Sequence, residues 1–80
     1  MSMLRPYINR IMQAKGLSRQ IQLENLRNYL KTARLSSLEI AINDIDSQEQ
    51  LRILWEAGLR TALQDAVLRR QEELTARRGD

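Results

Sequence analysis

Two pairs of carboxylates stand close together along this 80-residue chain, Asp44 with Asp46 and Glu72 with Glu73. Paired acids serve general acid–base chemistry when their surroundings split their proton affinities. Here the first pair flanks an expected helix end and the second sits on a polar tail. Neither has a nucleophile beside it, and the local pattern supplies no apolar pocket to raise a pKa. Histidine and cysteine are absent, which removes the usual metal ligands, thiolate nucleophiles and neutral-pH proton shuttles. No glycine-rich loop offers a phosphate cradle. The expectation is a protein that is not an enzyme, with no catalytic, cofactor or metal site and no cofactor.

The chemistry that remains is charge. Thirteen bases and ten acids give +3, unevenly spread. Residues 1–35 carry seven bases against the single acid Glu24, residues 36–66 carry six acids against Arg52 and Arg60, and the remainder is close to balanced. Such a dipolar chain can steer an anionic partner to its first half, or pair its own halves within the fold or between copies. Eleven of the bases are arginine, which forks onto carboxylates and phosphates at lower entropic cost than lysine. Arg27, Lys31 and Arg34 follow at spacings of four and three, so they share a helical face, with Arg19 two turns earlier. An acidic protein surface is the first partner this face suits; phosphates of a nucleic acid are the alternative. Only Tyr7, Tyr29 and Trp55 are aromatic, too few for a base-stacking platform. A helix-turn-helix reading of Asn25–Ala33 and Ser37–Ile45 fails because its recognition helix would carry Glu39 and Asp44 and no base.

These side chains need elements to hold them. Phenylalanine is absent, β-branched residues are sparse, and Leu, Arg, Gln, Glu and Ala dominate, so an all-α domain follows. Pro6, Gly16, Gly58 and Gly79 punctuate the chain, with Ser18, Ser36, Ser37, Ser47 and Thr61 as candidate N-caps. Three capping boxes, Ser36 with Glu39, Ser47 with Gln50 and Thr61 with Gln64, fall where the apolar stripe restarts. The resulting map is five helices near 4–15, 19–33, 37–45, 48–57 and 62–76. The last two are expected to part at Gly58, the alternative being one helix running through it.

Shifting the chain by 25 residues aligns Gln22–Ile45 with Ser47–Arg70 and gives five identities in 24 positions: Glu24/Glu49, Leu26/Leu51, Arg27/Arg52, Leu38/Leu63 and Ala41/Ala66. Leu30/Trp55, Ser36/Thr61 and Ile42/Val67 are chemically matched. The pattern implies two helix–turn–helix units of about 25 residues, stacked so that neither leaves its stripe in water. The division expected is a single domain over 1–80, with an N-terminal helix or arm over 1–18, repeat one over 19–45, repeat two over 46–76 and a frayed tail over 77–80.

With Ala41-Ile42 and Ala66-Val67 opening the inner face of the second helix of each unit, residues 22–74 resemble short HEAT-like helical repeats. The resemblance implies a binding scaffold without catalysis. The other architecture compatible with the pattern is an ordinary four- or five-helix bundle built by duplication.

Three aliphatic residues break the match between copies. Ile40 stands opposite Asp65, Ile53 opposite Asn28 and Leu68 opposite Asn43. Together they are expected to form a second apolar strip, covered by the N-terminal helix or by another subunit. The segment Met3–Ala14 carries Leu4, Tyr7, Ile8, Ile11 and Met12 at spacings of one to four. It suits a capping helix, an arm exchanged between subunits, or a membrane-surface helix. Trp55, whose repeat mate is Leu30, is expected in the core. No apolar stretch reaches the ~18 residues of a membrane span and no signal-peptide core is present, so a cytoplasmic location and no membrane partner are expected. The function expected is a non-enzymatic protein–protein interaction module, a small adaptor, regulator or inhibitor able to form a homodimer; a nucleic-acid-associated protein is the alternative, and a purely structural subunit a third.

Overall fold

The computed structural model describes residues 4–78; Met3 of the first segment and Gly79-Asp80 of the tail lie outside them. Among the described residues the chain is all-helical, with five helices and no strand.

Helix α1, Leu4–Gln13, turns Leu4, Ile8 and Ile11 onto one side, where all three are fully buried. Pro6 sits in its first turn, where a missing N–H costs nothing. The helix stops two residues earlier than expected: Ala14 N–H bonds back to the Ile11 carbonyl, and Gly16 takes φ 61° to turn the chain. Helix α2, Leu17–Thr32, starts directly after this glycine, with Ser18 inside it rather than capping it. It ends where Ala33 becomes extended, leaving only Arg34 before α3, Leu35–Asp44. Helix α4, Gln48–Ala57, is capped by Ser47, whose Oγ accepts from Gln50 N–H at 3.4 Å. Gly58 closes it at φ 103°, its N–H shared between the Leu54 and Trp55 carbonyls, so no continuous rod forms. Helix α5 runs Thr61–Arg78, two residues past its expected end.

Of the three expected capping boxes, only the one at Ser47 caps its helix. Ser36 and Ser37 lie within α3, which is entered from Arg34 with no side-chain cap. Thr61 is the first residue of α5, and Gln64 instead donates Nε2–H to the Leu59 carbonyl at 3.3 Å.

Packing sorts the helices into pairs. α2 lies on α4 and α3 on α5; α4 also meets α5, while α1 packs on α2 and touches α3 and α4. One core joins them, with Leu26, Leu30, Leu38, Ile42, Leu51, Leu54, Leu63 and Val67 fully buried. Each such side chain contributes about 1.5–3 kcal/mol relative to exposure, so this stripe is the main source of stability. Three pairs 25 residues apart, Leu26/Leu51, Leu38/Leu63 and Ile42/Val67, are buried alike. Leu30 is buried while Trp55 is half-buried against the core, and Ala41 is buried while Ala66 is half-buried.

Two arginines on and before α5 fix its course. Arg60 Nη2 donates to the Ala33 carbonyl at 2.8 Å, and Arg70 Nε to the Ile45 carbonyl at 2.7 Å. Ala33 and Ile45 bracket α3, so α5 runs beside α3 in the same direction.

Candidate interaction surface

The basic face is built on α2. Leu26 and Leu30 turn into the core, so Arg27 and Lys31, each one residue further on and one turn apart, are carried to its exposed side. They line a groove between α2 and α4 whose floor is Leu23 and Ala57 and whose rim includes Glu24 and Glu56. Gly58 shapes this groove. A Cβ there would stand 3.8 Å from Arg27 Nε, so the arginine stem lies across the end of α4. Arg34 is exposed but belongs to the extended link before α3 rather than to α2. Arg19 is half-buried and ion-paired with Glu56 of α4.

Among the described residues, Arg19–Glu56 is the only ion pair joining the basic first part of the chain to its acidic middle; the other is local, Arg70 with Glu73 at 3.0 Å. Arg27, Lys31 and Arg34 have no such counter-ion, and neither do Glu39, Asp44 or Asp65. Folding therefore consumes little of the charge asymmetry.

The three aliphatic positions do not form one strip. Ile53 is 5% exposed, in α4 beside Met12 of α1, and so is part of the protein's own interior. Ile40 on α3 and Leu68 on α5 are 66% and 48% exposed. Cover by the N-terminal helix is one of the two coverings the sequence pattern allowed; it holds for Ile53 and not for Ile40 or Leu68, and it leaves the Ile53 side chain inside the protein rather than on a partner surface.

On the other flank of α2, Tyr7 and Tyr29 stack with ring centroids 5.0 Å apart, tying α1 to α2 beside Arg10, Asn25 and Asn28. Trp55 donates its indole N–H to Gln71 Oε1 at 3.2 Å, and Gln48 Nε2 donates to the Gln71 carbonyl and Thr75 Oγ1, joining α4 to the second half of α5. The sequence reading did not single out Arg60, Arg70 or Glu56. Arg70 had a visible signal: with Leu63, Val67 and Leu74 it follows the four-three-four spacing of a buried stripe.

Among the described residues no helix is long and apolar enough to cross a membrane. Comparison with protein-family models, with curated proteins and with solved structures finds no match.

Proposed function

We propose that the chain is a non-enzymatic protein-interaction module that engages an acidic partner surface through Arg27, Lys31 and Arg34. The observation that carries this reading is the exposure of these three bases without a paired carboxylate, Arg27 and Lys31 lining the groove over Leu23 and Ala57 and Arg34 standing on the link before α3. Arginine and lysine presented this way gain new charge-assisted hydrogen bonds on docking rather than exchanging old ones.

The scaffold reading is a pair of HEAT-like units with α1 as their cap. Its support is the like-with-like packing of α2 on α4 and α3 on α5, together with the equal burial of Leu26/Leu51 and Leu38/Leu63. Burial of Leu4, Ile8 and Ile11 favours α1 as a capping helix over a membrane-surface one.

Affinity purification from the native host with the wild-type chain and with R27E/K31E/R34E tests the assignment. The reading expects the variant to lose its captured protein, and unchanged capture removes this surface from consideration. Titration with random duplex and single strands at two salt concentrations separates the nucleic-acid alternative: binding that falls steeply with salt would favour phosphate contacts instead.

A further inference from the structure

The groove between α1 and α2 differs from its neighbours in charge. Those between α2 and α4, α1 and α3, α1 and α4, and α3 and α5 each have a carboxylate in their lining, Glu24, Asp44, Glu49 and Glu39 respectively among them. The α1–α2 groove has none. Arg10 is its single charged residue, and Asn25, Asn28, Thr32 and the Tyr7–Tyr29 pair complete it. Glu24, the acid nearest to these residues in sequence, lines the groove on the other flank of α2. Arg10 is exposed and has no ion-pair partner among the described residues. Asn25 and Asn28 are exposed and one turn apart, and neither carboxamide is hydrogen-bonded within the chain.

An extended peptide segment bearing a carboxylate suits these groups. A carboxamide donates from nitrogen and accepts at oxygen, so it can meet the C=O and N–H of one peptide unit. A helix has already used those groups internally, whereas an extended chain presents them. From Asn25 to Thr32 the helix covers about 10 Å, the reach of about three extended residues. A nucleobase fits less well. Tyr7 and Tyr29 each give a ring face to the other and both pack against the core, so their stacking surface is spent on joining α1 to α2.

We infer that the α1–α2 groove holds an extended acidic segment of the partner protein, its carboxylate on Arg10 and its main chain on Asn25 and Asn28. This rests on the proposed reading of the chain as a module for an acidic protein partner, and adds the form of the segment it takes. Asn28 also lines the Arg27–Lys31 groove, so the two sites adjoin across one residue.

The probe is a capped peptide alternating glutamate and threonine, with a control peptide carrying glutamine for glutamate, each titrated into the isotope-labelled full chain and followed by NMR. The acidic peptide is expected to shift the side-chain amides of Asn25 and Asn28 and the Arg10 Nε–H. The control peptide on the wild type, and the acidic peptide on R10Q, should each bind at least about tenfold more weakly, a charge-assisted bond being lost. N25A/N28A should weaken both peptides alike, since main-chain contacts are removed. All three positions are exposed, and circular dichroism checks that the fold persists. Asn25 and Asn28 amides that stay still at millimolar peptide, equal affinity for the two peptides, or R10Q binding as the wild type does would overturn the inference. So would an oligothymidylate that moves the same amides at lower concentration than the peptide, which would assign the groove to single strands. Shifts confined to the surroundings of Arg27 and Lys31 overturn this groove and leave the basic face standing. Shifts at Asn25 and Asn28 that survive R27E/K31E/R34E, with capture from the host indifferent to that variant, support the groove and overturn the basic face alone.

Discussion

Arg70 lies buried in α5 and donates from Nε to the main-chain carbonyl of Ile45, 2.7 Å away and 25 residues earlier in the chain. The two residues stand 25 positions apart, the shift at which the sequence aligns with itself, and the bond fastens α5 to the chain just after α3. The Arg70 stem fills apolar space while its guanidinium also reaches Glu73 at 3.0 Å near the surface.

This bond should be measurable. Arg70→Met keeps much of the stem's volume and removes the donor, so chemical denaturation should show a loss of about 1–3 kcal/mol. Glu73→Gln, at a half-exposed carboxylate, should change stability by less than about 1 kcal/mol. Equal effects for the two would mean that the ion pair, and not the carbonyl bond, holds Arg70.

The caps separate in the same way. Ser47→Ala should cost about 1 kcal/mol, because Ser47 Oγ accepts the Gln50 N–H at the start of α4. Ser36→Ala should be neutral or slightly stabilising, since Ser36 lies inside α3, where alanine is the better helix former. Thermal melts of the two variants make the comparison.

Much of the helical framework was legible because leucine spacing and the glycine at 58 act locally. The start of α3 was not. Ser36 with Glu39 is a sound local capping signal, but Ala33 is held extended with its carbonyl bonded to Arg60, 27 residues away, so the helix begins before the serine is reached. Arg19 likewise looked like part of the basic face from helical spacing alone, and only the approach of α4 supplies Glu56 as its counter-ion. For Ile53 the sequence left two covers open, the N-terminal helix or another subunit, and only the packing of α1 on α4 decides for the first. The exposure of Arg27 and Lys31, set by their phase relative to Leu26 and Leu30, was the legible part of the site.

Gly16 and Gly58 should resist replacement for conformational reasons. A Cβ at Gly16 would meet nothing within 4 Å, and one at Gly58 would make ordinary contact with Arg27, yet both have positive φ, 61° and 103°. Alanine at either should cost about 1–3 kcal/mol by denaturant titration. Both substitutions proving neutral would contradict the turn geometries that end α1 and α4.

Ile53 and Ile40 should part company on truncation. Ile53→Ala removes buried volume beneath α1 and should cost about 2–4 kcal/mol. Ile40→Ala should stay within about 0.5 kcal/mol in the isolated chain, its side chain being mostly in water. A large loss at Ile40 would show that its aliphatic group is covered within the monomer.

Lysine occurs only at positions 15 and 31, which makes zero-length carbodiimide coupling, joining an amine to a carboxylate in direct contact, the most pointed test of where an acidic partner sits. Applied to the captured complex, it should join Lys31 to partner carboxylates, mapped by mass spectrometry of the digest. Cross-links confined to Lys15, or a captured partner that never couples to Lys31, would contradict the account.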